Sequence, residues 1–273
     1  MRALEVSETE LQAPLLPWLS LGMLGAIGAL FAASGWLASE GRLGDASVRV
    51  AGVVVGHGAL LGVALGWAAP ARRCRGRALV VVGVLAAAAV TASALPFGAL
   101  TFAGVPAALW WATRGCCGGA LGLRVRAPRK AVALGAGLGA LLGGHVMVTA
   151  AMTIGYPIRL RATRELLDWV LYDAGASVLA MECFFRGAVF DRAQRRWSFT
   201  AAAAISAAGN VARVLVDPLR PRTMEVTAGA VFYVALLSVT SCWLFHRTGS
   251  LVPGLAGSLL FFLAYRLVMP GAG

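Results

Sequence analysis

The sequence predicts an all-α fold, a polytopic membrane bundle of eight or nine transmembrane helices, and three observations carry that expectation. Only 13% of the 273 residues are charged while 59% are hydrophobic, with a mean hydropathy of +0.78; soluble domains carry about a quarter charged residues. Nine apolar runs approach or exceed the length needed to cross a bilayer. Between them the cations collect in short runs, as they do in loops that face anionic headgroups.

The opening stretch MRALEVSETELQAP is acidic and runs into an apolar segment without a small-residue cleavage site. It reads as a cytoplasmic lead-in rather than a signal peptide. The apolar runs then fall at Leu15–Leu37, Val48–Ala69, Ala78–Leu95, Phe97–Ala112, Ala131–Ile154, Leu166–Phe190, Ser198–Val216, Val226–Phe245 and Leu251–Val268. The third and fourth meet at Pro96, where they make either one hairpin or a re-entrant turn, hence eight or nine helices. Residues 1–273 read as a single integral membrane domain.

The formal charge of +12 is almost all arginine, since Lys130 is the only lysine. No basic helix or aromatic–basic module is present, so the partner these cations predict is the lipid bilayer and not nucleic acid. The most basic loops are ARRCRGR (71–77), RVRAPRK (124–130) and DRAQRR (191–196). Alternation through nine spans puts all three on one side, the cytoplasmic side of a bacterial inner (plasma) membrane, with the N-terminus on the same side. The glycines and alanines of 135–144 and 201–210 read as seams where helices approach closely.

Five cysteines show no metal-ligand spacing: Cys116 and Cys117 are adjacent, and Cys183 and Cys242 lie within apolar runs. Neither a zinc site nor a disulfide framework follows, and the latter two read as small core residues. No H-E-x-x-H, G-x-S-x-G or glycine-rich phosphate loop occurs. No metal and no cofactor is expected.

Ionisable groups at membrane depth are costly unless paired or wetted, which makes them the functional candidates. They are Asp173, Glu182, Arg186, Arg213 and Arg266, with His57 and His145. Glu182 and Arg186 are spaced to share a helix face with the acid leading, the favoured order. Arg186 is also close enough to the basic loop to snorkel toward the headgroups. Asp173 lies about 13 Å up the axis and roughly half a turn out of phase, so the two acids form no carboxylate pair on one face. Arg213 pairs with Asp217 or, alternatively, joins Asn210 in a polar cluster facing the Glu182 helix. His57 and His145, each flanked by glycine, read as hydrogen-bonded core residues, and His246 as interfacial.

The stretch MECFFRGAVF, followed by a basic loop, an Ala-rich helix and HRTGSLVPGLAGSLLFFL, resembles the CAAX protease and bacteriocin-processing family of intramembrane glutamic endopeptidases. The resemblance covers a core at residues 166–268; residues 1–165 match only as generic membrane helices. Arg186, Gly187 and Phe185 match the family's first motif, and Glu182 matches the second Glu of its Glu pair. The first Glu, which the resemblance assigns to water activation, falls on Met181. The second motif places Ser206 at its aromatic and Asn210 at its histidine. The lead-in Thr248, Gly249, Ser250, Leu251 and Pro253 matches the last motif, whose histidine and asparagine fall on Gly257 and Phe261.

The scaffold positions therefore match while Met181, Asn210, Gly257 and Phe261 depart from the catalytic pattern. Acyl transfer needs a base for water and donors for the oxyanion, and no residue of this chain is confidently catalytic on that pattern. The expected function is a degenerate family member without peptidase activity, a binding or accessory partner in the processing or sorting of membrane-anchored protein tails. It would bind membrane-embedded peptide tails or assist an active protease or sorting partner. The alternatives are an active intramembrane endopeptidase with a rearranged site, in which Glu182 works with His145 or His57, and a small transporter or channel subunit.

Overall fold

The computed structural model describes residues 36, 40, 44–68, 72–114, 121–123, 125–158, 162–215 and 224–268. The first expected span, Leu15–Leu37, lies outside the described residues apart from Trp36, as do Cys116, Cys117 and Asp217. Among the described residues every regular element is helical and no strand occurs.

The remaining eight runs become helices in register with the hydropathy pattern. Helix α1 is continuous through Asp45–Ala51, a π-helical stretch Gly52–Gly58, and Ala59–Ala68. Helix α2 (Arg72–Ala94) turns at Pro96 into a 3-10 stretch, Gly98–Ala103, and α3 (Gly104–Thr113). The pair is a helical hairpin. Gly98 makes it possible: a Cβ there would stand 2.0 Å from the Thr91 carbonyl oxygen. Helix α4 (Arg129–Thr149) continues into a π turn, Ala150–Ile154. Helix α5 runs without a break through Thr163–Tyr172, the π stretch Asp173–Ser177, Val178–Met181, a second π stretch Glu182–Phe190, and Asp191–Gln194. Helices α6 (Phe199–Leu215), α7 (Met224–Thr248) and α8 (Val252–Val268) complete the bundle.

Among the described residues, four stretches are long and apolar enough to span: Ala46–Ala68, Gly76–Ala94, Arg129–Thr153 and Thr227–Thr248. These make the chain an integral membrane protein. Helices α6 and α8 are apolar but shorter; at 17 residues each they measure about 25 Å against a hydrocarbon core of about 30 Å. Helix α5 is long enough but carries Asp173, Glu182 and Arg186, which are buried in the protein and kept from lipid.

Helix α5 is the centre of the bundle. From Val178 to Ala188 every side chain is buried, and so is Phe190. A helix apolar on all faces is one surrounded by others, here α1, α6, α7 and α8. The α4–α8 contact is a glycine seam as expected. Added Cβ atoms at Gly135 and Gly139 would stand 2.1 and 2.0 Å from the carbonyl oxygens of Pro253 and Gly257. Only hydrogen fits between those backbones, which is how small-residue spacing brings membrane helices together.

The basic stretches gather at one end, also as expected. Arg77 donates to the Arg114 carbonyl at the end of α3. Arg192 donates to the Trp67 carbonyl at the end of α1. Between α7 and α8, Gly249 takes a left-handed φ of +64° and its N–H reaches the Phe245 carbonyl at 2.7 Å. Such a helix terminus favours glycine. The Leu251 N–H donates to the Gly122 carbonyl, so the segment before α4 is tied to the same turn.

Candidate functional site

The polar residues of the bundle sort into two sets. The first surrounds Glu182 and Arg186, both wholly buried on α5. The Glu182 carboxylate accepts a hydrogen bond at Oε1 from Ser258 Oγ of α8, at 2.8 Å. Its Oε2 lies 3.5 Å from Arg186 Nε, an ion pair without hydrogen-bond geometry. Gly254, one turn before Ser258, is where the carboxylate meets the α8 backbone: a Cβ there would be 2.9 Å from Glu182 Oε2 and 3.3 Å from Ser241 Oγ.

Helix α6 closes the other side. Ser206 Oγ donates to the Phe185 carbonyl at 2.8 Å, and Asn210 Nδ2 donates to Ser238 Oγ of α7 at 2.9 Å. Four helices thus present small or polar residues at helical spacing to one buried region: Glu182 and Arg186, Ser206 and Asn210, Ser238 and Ser241, Gly254 and Ser258. All are buried, and the missing side chain of Gly254 leaves room beside the carboxylate.

The expected site positions divide on this geometry. Glu182, Arg186 and Asn210 lie in the polar region, and Met181 is packed in the main hydrophobic core beside it. The α8 residues at Glu182 are Gly254 and Ser258. Gly257 is pressed into the glycine seam, where an added Cβ would be 2.6 Å from the Gly135 carbonyl oxygen. Phe261 packs in a separate cluster with Val146, Tyr233 and Leu237. Arg186 does not snorkel. Its helix is central, so its guanidinium has no route to the headgroups and stays at 0% exposure.

The second set lies further along α5. Asp173 accepts two hydrogen bonds from Arg266 of α8, from Nε at 2.9 Å and Nη2 at 2.8 Å. The same guanidinium lies over the rings of Trp169 and Tyr172. Tyr172 Oη is 2.7 Å from His57 Nε2 of α1, and Arg213 Nη2 of α6 is 2.9 Å from His57 Nδ1. A guanidinium only donates, so Nδ1 is the acceptor and the imidazole carries its proton on Nε2, which donates to Tyr172.

Every histidine is thereby accounted for. His57 belongs to this second set, His145 Nδ1 pairs with Tyr233 Oη, and His246 Nδ1 donates to Gln194 Oε1 at the arginine-rich end. His57 is a hydrogen-bonded core residue as expected, whereas His145 is hydrogen-bonded but lies on an exposed face of α4 rather than in the core. Arg213 reaches α1, while its expected partner Asp217 lies outside the described residues. Cys183 and Cys242 are buried free thiols. Among the described residues no group of three or more His, Cys, Asp or Glu side chains is placed to hold a metal.

Sequence reasoning missed the Asp173–Arg266 pair and the roles of Gly254, Ser241 and Ser258. The pair joins residues 93 apart, which no local pattern reveals. The small polar residues did carry a signal, since Ser238 and Ser241, and Gly254 and Ser258, repeat at one helical turn. The π stretches were also unforeseen: His57, Asp173, Glu182 and Arg186 all sit in them. Such turns occur often at functional sites.

Residues 163–261 match the family model described as Rce1-like: Type II CAAX prenyl endopeptidase Rce1-like. The match runs from the start of α5 into α8 and takes in the whole polar region around Glu182. No curated protein and no solved structure matches the chain.

Proposed function

We propose that this chain, an integral membrane protein carrying an Rce1-like domain of the CAAX protease family over residues 163–261, acts without peptidase activity. On this reading it is a binding or accessory partner in the processing or sorting of membrane-anchored protein tails. The observation that carries the reading is the state of the Glu182 carboxylate. It is engaged by Ser258 and Arg186, while all three histidines have their hydrogen-bond partners elsewhere. Water activation needs a base within about 3 Å of the proton it takes, directly or through one water. The residue before Glu182, where the family resemblance puts that base, is Met181.

The α8 backbone adds a second support. The α8 residues that face the Glu182 carboxylate, Gly254 and Ser258, bring no histidine to it. The reading also puts the arginine-rich end at the cytoplasmic leaflet of a bacterial inner membrane, where anionic headgroups meet Arg77, Arg114 and Arg247.

The test is purified protein in vesicles with a membrane-anchored CAAX-type tail peptide bearing a photo-crosslinker. The expected result is crosslinking to the chain with no cleavage above protein-free vesicles, unchanged in Glu182→Gln. Cleavage that Glu182→Gln abolishes would overturn the proposal.

A further inference from the structure

The whole arginine-rich end attracts anionic headgroups, but the α2–α3 hairpin gathers that attraction at one place. Arg77 of α2 donates from Nη1 to the Arg114 carbonyl at 2.7 Å, closing the C-terminus of α3, where a cation is favoured. Its guanidinium also lies over the Trp111 ring, 5.3 Å from the ring centre. The Arg114 guanidinium lies over the neighbouring Trp110 ring at 3.6 Å. Two cations are thus held over two indoles at the last turn of α3. No aspartate or glutamate occurs from Ala46 to Arg164, so the hairpin brings no carboxylate of its own to them.

The surroundings select the ligand. Trp110 and Trp111 are about half exposed, and so are the aliphatic Leu79 and Val80, which follow Arg77 along α2 into the bilayer. Exposed indoles sit at headgroup level in membrane proteins, and guanidinium groups stacked on aromatic rings are suited to phosphate. The contrast is Arg192, which lies over the Trp67 ring and donates to its carbonyl, but there the indole is buried and offers no surface. A soluble phosphate would match Arg77 and Arg114 and leave the indoles and aliphatic side chains uncovered. A phosphatidylcholine would cover them but bring its own cation to a site that already holds two. A phospholipid with a neutral headgroup and a net negative charge meets both conditions.

We infer that the arginine-rich end of the α2–α3 hairpin is a binding site for an anionic phospholipid of the phosphatidylglycerol type. Arg77 and Arg114 hold its phosphate, and its glycerol and upper acyl chains lie against Trp110, Trp111 and Leu79. Basic recesses on membrane helices take acidic headgroups in this way. The site stands apart from Glu182 and outside the family match at residues 163–261. It depends on the hairpin ending at a membrane surface and not on whether the chain cleaves peptides.

Native mass spectrometry of the full chain in detergent, titrated with phosphatidylglycerol or with phosphatidylcholine of the same acyl chains, counts bound lipid directly. The wild type should take its first phosphatidylglycerol about tenfold more tightly, the scale of two basic residues at a membrane surface. Arg77→Gln/Arg114→Gln should abolish that preference. Arg126→Gln/Arg129→Gln removes the same charge from exposed positions at the same end and should keep it. Equal affinities in the wild type overturn the inference. So does a preference that survives in Arg77→Gln/Arg114→Gln or falls equally in both double variants, the mark of diffuse charge. Displacement of the lipid by excess inorganic phosphate would overturn it in favour of a soluble anion. A second readout does not need the arginine variants to fold. Brominated phosphatidylglycerol should quench the tryptophan fluorescence of the wild type more than brominated phosphatidylcholine, and the excess should vanish in Trp110→Phe/Trp111→Phe. No excess in the wild type, or an excess that persists in that variant, overturns the inference.

Discussion

Helix α5 carries two buried acid–arginine pairs, and they are built differently. Asp173 and Arg266 come from separate helices and meet in a bidentate fork at 2.8 and 2.9 Å, with aromatic rings under the guanidinium. Glu182 and Arg186 belong to the same helix and meet at 3.5 Å, with the arginine donors unmatched by protein. A fork between helices fixes their register and satisfies both charges at once. A loose pair on a single helix does not itself join two helices; here the link to α8 is the single Ser258 hydrogen bond to Glu182. The first is a clamp, and the second leaves its charges to other neighbours.

The sharpest way to break this comparison is at Asp173. Asp173→Ala leaves Arg266 without its partner in a largely buried position, and unpairing a buried charge costs about 3–5 kcal/mol. The expected outcome is a large loss of unfolding free energy measured in bicelles, or failure to accumulate. Asp173→Leu combined with Arg266→Met should recover most of that loss, which would show that the charge left behind is the problem. A loss below about 1 kcal/mol, the range of exposed pairs, would mean the fork is not a clamp.

The glycine seam is next in size. Gly139→Ala puts a methyl group 2.0 Å from the Gly257 carbonyl oxygen, so α4 and α8 must separate. Overpacking of that kind costs about 1–3 kcal/mol, read as a lowered midpoint of thermal unfolding. Gly137→Ala is the control, since nothing lies within 4 Å of its added Cβ, and it should leave the midpoint within error of the wild type.

Tyr172→Phe should be milder still. It removes the oxygen that accepts from His57 while leaving the ring under Arg266. Interhelical hydrogen bonds in membranes average about 0.6 kcal/mol, and a change near that value in bicelle unfolding is expected. A larger effect would mark the His57–Tyr172 link as a working part of the clamp.

These contrasts also show what the sequence could and could not reveal. Helices α1 to α8 follow the hydropathy runs closely, because apolar length is what insertion in a bilayer requires. The seam at Gly135 and Gly139 was legible for a related reason: only small residues let two membrane helices touch. The fate of Arg186 was not legible. Its nearness to a basic loop suggested snorkelling, but whether a helix is central or peripheral depends on its neighbours, which local sequence does not record. The same holds for Asp173 and Arg266, whose pairing is a property of the assembled bundle. The α8 face was lost to its crossing with α4: motif spacing pointed to Gly257 and Phe261, while packing turns Gly254 and Ser258 toward the carboxylate.

The smallest expected effect is also the most discriminating. If Glu182–Arg186 is a remnant pair, replacing both residues by leucine should leave stability close to that of the wild type. The desolvation of two charges is then removed along with a weak 3.5 Å interaction, and such replacements range from neutral to about 1–4 kcal/mol stabilising. Either single replacement, Glu182→Leu or Arg186→Leu, should instead destabilise by about 3–5 kcal/mol, because it strands one buried charge. Bicelle unfolding of the three variants separates the cases. Large single effects with a small double effect identify a pair whose members need only each other. A double variant as damaged as the singles would mean that Ser258 and the surrounding polar region depend on these charges, and that the site is kept for a use which stability does not explain.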